Sequence, residues 1–393
     1  MENGERRARL WRFLCRLLGP AIRYRAGLEM ERLPEGKAAV VVCNHVTNFD
    51  PVFLALASPT RPLTYVASEH ILRDRPMLRK LLYALFDPIP RRKAASAVDT
   101  CRKTVRALRD GKTVVIFAEG ETTWNGRTAP LQRGTAVLVK AAGAPLVTYR
   151  FHGGYLAAPR WGKGLRRGKI TGRVTGKWTA EQLKAMSTDE VSALIEEGIR
   201  EDAFAAQHRE RVTYHTRRGN RLRQIEALLF LCPQCRQIGT LRGEGDRIRC
   251  ACGLCVRADE CLLLEAGAPF PDFTAWDDWQ TATLRQMARE NGAMELHECR
   301  EGLRMMEIMP DQSCRQVAAG RLGMNRERMC IGSWELKLAD IREMATLQNR
   351  KLAISTREHY YELQAAKACC LRKYLLLWRF FREESDLTAG EGT

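Results

Sequence analysis

Two apolar runs in the first third of the chain stop abruptly at polar residues. AAVVVC (38–43) leads into NHVTNFDP, and TVVIF (113–117) leads into AEGETTWNG. Short uninterrupted apolar runs rich in valine predict strands buried on both faces. The ends of such strands are where α/β folds place their chemistry. Asp50-Pro51 suits the first turn of a helix, where proline's missing N–H costs nothing. In RRARLWRFLCRLLGP, helical spacing puts Leu10, Phe13, Leu14, Leu17 and Leu18 on one side, with Trp11 at its edge, and Arg9, Arg12 and Arg16 on the other. This is the pattern of an interfacial helix, or of an amphipathic helix packed on its own domain, and Gly19-Pro20 is expected to stop it.

Further along, 152–176 mixes glycines with alternating residues, so strands and loops are expected, with Arg160, Lys163, Arg166, Arg167 and Lys169 forming a basic surface. Thr179–Gln182 has the form of a capping box, opening an amphipathic helix that should run to about His208. RRGNRLR (217–223) reads as a linker. TLRGEGDRIRC alternates about GEGD as a hairpin does. A helix follows at about 275–290, then several strand-like runs, and a terminal apolar and basic helix at 366–384.

The chain has 393 residues, a formal net charge of +18 and 14 cysteines. That length allows two or three domains, and the charge favours an anionic partner such as acidic lipid, nucleic acid or an acidic carrier protein. No stretch approaches the ~20 apolar residues needed to span a bilayer, and no signal peptide precedes the first run. The expected place is therefore the cytoplasmic face of a membrane, as a peripheral protein. The clustered cysteines point to reduced thiols and metal ligands rather than disulfides.

His45 in the strand-to-helix turn lies five residues from Asp50, close enough for the carboxylate to bond one ring nitrogen and leave the other to take a proton from a hydroxyl. Glu119 and Gly120 end the second run among hydroxyl residues, a second acid site on the same sheet. At these residues the chain resembles the glycerolipid (lysophosphatidic acid) acyltransferases. NHVTNFD is similar to that family's Asn-His-x4-Asp motif, FAEGETT to its Phe-Pro-Glu-Gly-Thr-Arg-Ser block, DPIPRRKAAS to its basic second motif and AGAPLVTYRF to its fourth. All four occur in order between about 27 and 211.

The resemblance implies acyl transfer from a thioester, acyl-CoA or acyl-carrier protein, to the hydroxyl of a lysophospholipid such as 1-acyl-glycerol-3-phosphate. His45 would be the base and Asp50 its orienting partner, with no catalytic cofactor, and backbone N–H groups after His45 would hold the oxyanion. Asn44, Glu119, Gly120, Thr122, Arg91 and Arg92 would bind substrate. The chain departs from the family at Ala118, Glu121 and Thr122, the last standing where the family has a phosphate-binding arginine. A threonine cannot replace a bidentate guanidinium, so Lys93, Arg127 or Arg133 are further candidates for that charge.

CPQC (232–235) and CACGLC (250–255) set paired thiols a hairpin apart, as a structural zinc site needs. The expected ligands are Cys232, Cys235, Cys250 and Cys252, with Cys255 an alternative to Cys250. The segment resembles a zinc ribbon, and the strands with a terminal helix beyond it are similar to pleckstrin-homology-like domains. The expected fold is an α/β acyltransferase domain with a mixed sheet flanked by helices, a small zinc ribbon, and an α+β domain of antiparallel strands. The expected boundaries are 1–25 for the membrane helix, 26–215, a 216–228 linker, 229–262 and 263–393. Expected partners are an anionic membrane surface, a lysolipid and, as donor, acyl carrier protein. No nucleic acid is expected, because aromatics do not interleave the basic clusters. A non-catalytic lipid-binding scaffold and a nucleic-acid-binding zinc-ribbon protein are the competing readings.

Overall fold

The run 38–43 becomes the strand at the heart of a seven-stranded sheet, and the rest of the N-terminal unit is arranged around it. The computed structural model describes residues 2–74, 76–91, 98–132, 134–216, 220–291, 294–297, 302–366 and 369–390. Described residues up to 216, with 260–262, form one unit; 220–259 and 263–390 form a second. In chain order the first unit contains α1 (Glu2–Ala26), β1 (Leu28–Met30), β2 (Val40–Cys43), α2 (Asp50–Leu56), β3 (Thr64–Ser68), α3 (Glu69–Asp74), α4 (Pro76–Phe86) and β4 (Ile89–Arg91). It continues with α5 (Val98–Arg109), β5 (Val114–Phe117), α6 (Thr135–Ala142), β6 (Leu146–His152), α7 (Gly154–Ala157), β7 (Ile170–Trp178), α8 (Ala180–Ala185), α9 (Thr188–Ile199) and α10 (Ala203–Glu210).

The sheet order is β1-β7-β6-β2-β5-β3-β4. β2 pairs in parallel with both β5 and β6, and only the β6–β7 pair is antiparallel. Val40 to Cys43 are essentially unexposed, as expected for a central parallel strand covered by helices on both faces. Each such valine contributes roughly 1.5–3 kcal/mol by leaving water. The parallel pairing puts the C-terminal ends of β2, β3, β4, β5 and β6 on one edge, so 44–50, Arg91, 118–124 and His152 all emerge there.

Three expectations change. Gly19-Pro20 does not end the first helix, which runs to Ala26 with Pro20 inside it. Contacts on both sides of the proline hold it: Trp11 Nε1 donates to the Ser58 carbonyl (2.9 Å) and Arg23 to that of Leu56 (2.8 Å). The helix expected from 179 to 208 is three helices. The Thr179 capping box is present, but a second one, Ser187 with Glu190, starts α9, and Asp202 caps α10. Arg160 and Arg166, expected on a basic surface, are buried.

The second unit contains β8 (Arg242–Glu244), β9 (Arg247–Arg249), β10 (Cys255–Arg257), α11 (Phe273–Glu290), β11 (Leu296–His297), β12 (Leu303–Ile308), β13 (Cys314–Gly320), β14 (Leu322–Met324), β15 (Arg328–Ile331), β16 (Trp334–Lys337), β17 (Glu343–Leu347), β18 (Lys351–Ser355), β19 (Tyr360–Ala365) and α12 (Arg372–Gly390). β8 and β9 form the expected hairpin. Beyond them lie two antiparallel sheets, β11-β14-β15-β16 and β13-β12-β19-β18-β17. β13 and β17 were not anticipated, and 320–332 holds two strands turning at Asn325. Phe230 and Leu231 share one core with Leu284, Met305, Leu363 and Leu377. Trp276 Nε1 donates to the Leu231 carbonyl (3.1 Å), tying α11 to the segment before the first cysteine pair.

Candidate active site

His45 lies two residues beyond the end of β2 and is held on three sides. Its backbone N–H donates to Glu119 Oε1 (2.6 Å), and its carbonyl accepts from the Thr123 N–H (2.8 Å). Its ring stacks on Phe117, the last residue of β5, with centroids 4.2 Å apart. The ring's Nδ1 lies 2.9 Å from Asp50 Oδ2, and the same oxygen accepts from the N–H groups of Val46 (2.7 Å) and Thr47 (2.9 Å). An oxygen already serving two amides acts as acceptor toward the ring, which assigns the proton to Nδ1 and a lone pair to Nε2. Among the described residues none bonds Nε2, and the side chain is 18% exposed while Asp50 is fully buried. Burial pushes the Asp50 carboxyl up, and the His45 and backbone hydrogen bonds oppose it. Its Oδ1 has no partner among the described residues. The arrangement is that of a general base with an orienting carboxylate behind it.

The other expected site residues divide sharply. Asn44 is buried and does not reach a ligand: Nδ2 donates to the Phe151 carbonyl and Oδ1 accepts from the Phe151 N–H, both at 2.8 Å, locking β2 to β6. Glu119, only 2% exposed, likewise spends both carboxylate oxygens on backbone, the second on the Ala129 N–H (2.7 Å). Burial raises its pKa to about 8 against these two donors. Gly120 makes the turn at φ +73°, where a Cβ would strike the Gln132 side chain at 2.9 Å, so its role is to admit a left-handed turn. The Val46 and Thr47 amides, expected to be open to an oxyanion, are taken by Asp50. Arg91 ends β4 on the same sheet edge, half-buried, and Arg92, Lys93 and Arg133 lie outside the described residues.

Thr122 is buried, and its carbonyl accepts from Arg160 Nη1 (2.8 Å). The same Nη1 pairs with Glu121 Oε2 (2.7 Å), and the guanidinium lies 4.0 Å over the Trp124 ring. Glu121 and Arg160 thus lock together the segment in which the chain departs from the expected motif. Arg127 pairs with Asp202 (3.3 Å). Sequence reasoning also passed over His152, whose Nδ1 meets Glu201 (2.7 Å) and whose Nε2 meets Glu210 (3.1 Å). The Glu201 hydrogen bond, working against burial, raises its pKa to about 9. With both nitrogens engaged it ties the end of β6 to the start and end of α10. His359, in the second unit, bonds Glu307 through Nδ1 (2.6 Å).

In the second unit Cys232, Cys235, Cys250 and Cys252 place their sulfurs within 4.8 Å of one another. The Cys232–Cys252 and Cys235–Cys250 separations are both 3.7 Å. A tetrahedron with Zn–S of ~2.3 Å has sulfur edges of ~3.8 Å, so the four thiols fit one metal ion. Arg236 and Gly253, each just past a pair, have positive φ (56° and 98°), and their amides donate to the carbonyls of Cys232 (2.9 Å) and Cys250 (3.1 Å), closing the turn at each pair. Cys255 begins β10, is exposed, and is not one of the four.

By fold and site, the first unit is an α/β domain with a hydrogen-bonded histidine–carboxylate pair at the C-terminal edge of its parallel strands. Residues 28–152, which carry His45, Asp50 and Glu119, match the family model described as Acyltransferase, so this part of the chain is similar to the domains of that family. Among solved structures the chain is similar to the 1-acyl-sn-glycerophosphate (LPA) acyltransferase PlsC from Thermotoga maritima. The identity is 17% over 49% of this chain and 76% of that one, with a TM-score of 0.42.

Proposed function

We propose that the protein transfers a fatty acyl group from a thioester, acyl-CoA or acyl-carrier protein, to the free hydroxyl of a lysophospholipid such as 1-acyl-glycerol-3-phosphate. The observation that carries this reading is the His45 ring, held by buried Asp50 through Nδ1, partly exposed, and with Nε2 unbonded among the described residues. Nε2 takes the hydroxyl proton as the oxygen attacks the thioester carbonyl. The tetrahedral intermediate then expels the thiolate, which receives the proton from the imidazolium. Buried Asp50 stabilises that imidazolium. Glu119 and Asn44 act one step back, fixing the backbone on which the histidine stands.

Lipid access is supported by α1. Leu10, Phe13, Leu17 and Leu18 are exposed on it, Phe13 at 62%, beside exposed Arg9, Arg12 and Arg16. No helix among the described residues is long and apolar enough to cross a membrane. An amphipathic helix of this kind binds an anionic bilayer surface with arginines at the headgroups and apolar residues in the acyl boundary. The membrane is therefore the proposed place of work.

The test is acylation of a lysolipid panel by the purified protein with acyl-CoA and acyl-carrier-protein donors. His45→Ala should lower turnover by roughly 10²–10⁴-fold. An unchanged rate in the variant rules out the mechanism. No acylation by the wild type with any donor favours the lipid-binding scaffold, which gains support from the absence of a guanidinium at position 122. For the cysteine cluster we propose a structural zinc, since four thiolates leave no position open for substrate. Elemental analysis should find about one zinc per chain, lost in Cys232→Ser together with the β8–β9 hairpin's protection from hydrogen exchange. Full zinc content in that variant would refute the ligand set.

A further inference from the structure

The sheet edge opposite His45 holds a second opening that the acyl-transfer reading does not use. It lies where β2, β5 and β6 begin and β7 ends. A cavity of about 260 Å³ opens there, walled by Ala39, Val41, Leu63, Leu146, Val147 and Trp178. This volume is close to the lower bound of ~300 Å³ for small-molecule sites, so it suits one alkyl segment rather than a two-chain lipid. Most of the wall is buried side chain, with the half-buried Trp178 indole on one flank.

The rim is polar and mostly cationic. Lys37, Arg61 and Lys177 line it, with Glu35 the one acid among the lining residues. Lys37 also faces Glu181 at the start of α8, so three cations stand against two carboxylates. Arg61 Nη1 donates to the Gly36 carbonyl (2.7 Å), pinning the loop that carries Glu35 and Lys37 beside the mouth. An apolar pocket under a cationic rim is complementary to a molecule with an alkyl tail and an anionic end.

We propose that this cavity binds a medium-chain fatty-acid anion, its tail against Val41, Leu63 and Trp178 and its carboxylate at Lys37, Arg61 and Lys177. Val42, Cys43 and Asn44 lie between its wall residue Val41 and His45, so it is a second site and does not depend on the acyl-transfer reading.

The experiment titrates intact protein with dodecanoate below its micelle concentration by calorimetry, and with a brominated C12 acid while tryptophan emission is followed. Expected are one saturable site per chain, quenching that disappears in Trp178→Phe, and affinity unchanged in His45→Ala. The exposed-residue variant Lys37→Glu/Lys177→Glu, checked for unchanged circular dichroism, should bind at least tenfold more weakly, and dodecanol should bind at least tenfold more weakly to the wild type. Non-saturable binding overturns the proposal, as does equal affinity in the double variant or for the alcohol. Loss of binding in His45→Ala would assign the fatty acid to the acyl-transfer site instead. Absent acyl transfer with intact dodecanoate binding would sink the proposed reaction and leave this site standing.

Discussion

Asp50 and Glu119 in the first unit are buried in the opposite way to Asp277, Glu307 and Glu362 in the second. In the second, Asp277 meets Arg372 at 2.5 Å, Glu307 meets Arg315 (2.5 Å) and His359 (2.6 Å), and Glu362 lies 3.6 Å from Lys351. In the first, Asp50 and Glu119 have no arginine or lysine in pairing range among the described residues, and rely on backbone N–H groups and one imidazole. The consequences for their acidity diverge. The Arg315 hydrogen bond holds Glu307 below the ordinary carboxylate range, whereas burial pushes Asp50 and Glu119 above it. A buried acid with a cation beside it is a structural device with a neutral sum. Two buried acids without such cations, 69 residues apart in sequence and meeting at one histidine, are where the proposed reaction would have folding stability given up for chemistry.

The strongest test of this contrast is Asp50→Asn. An amide in place of the carboxylate can neither fix the Nδ1–H tautomer nor stabilise the imidazolium, so acyl transfer should fall on the order of 10³-fold with the fold retained. Turnover assays on a variant with native circular dichroism check it. A loss under tenfold would reduce Asp50 to a cap for the Val46 and Thr47 amides, and the two units would no longer differ in kind.

The mirror experiment belongs to the second unit. Asp277→Asn leaves Arg372 without its carboxylate beside a buried helix, and should cost about 3 kcal/mol in chemical unfolding of that unit while turnover stays at the wild-type level. A fall in turnover without a loss of stability would show that this pair also serves the reaction.

How much of this was legible follows the range of the interactions. The two strand-end motifs, the Thr179 capping box, the β8–β9 hairpin and the set Cys232, Cys235, Cys250 and Cys252 are all local patterns, and the structure contains each of them. Ser187–Glu190 has the same spacing as the first box, but the apolar periodicity of 179–208 masked the break. Asn44 and Glu119 stand at strand ends as expected, and the partners the structure gives their side chains are backbone groups. A polar side chain there can aim at a ligand or back at the neighbouring strand, and only the packing of β6 and of 127–129 decides. Arg160 sits in a run of basic residues and looks solvated; its partner Glu121 is 39 positions away, a distance no local pattern spans. The extra strands β13 and β17 carry short polar-rich segments that pair only because β12 and β18 are there to receive them.

The smallest expected effect, and the finest probe of the contrast, is the pH dependence of stability set by Glu119. Its carboxyl titrates at about 8 in the folded protein against an ordinary 4.5. Between those values the native chain holds a proton that the unfolded chain has released, so raising the pH favours unfolding. The first unit should be most stable below about pH 4.5 as far as this group is concerned, lose stability through pH 8, and level off above it. Glu307, shifted the other way, contributes a loss on acidification instead, confined to the second unit. Hydrogen exchange at the His45 and Ala129 amides separates the two, because these are the N–H groups that Glu119 holds. In Glu119→Gln the slope at those amides should flatten, while the second unit's acid response is unchanged. A slope that survives the substitution would move the titrating proton to Asp50, the other carboxylate at this histidine, and with it the origin of the stability cost.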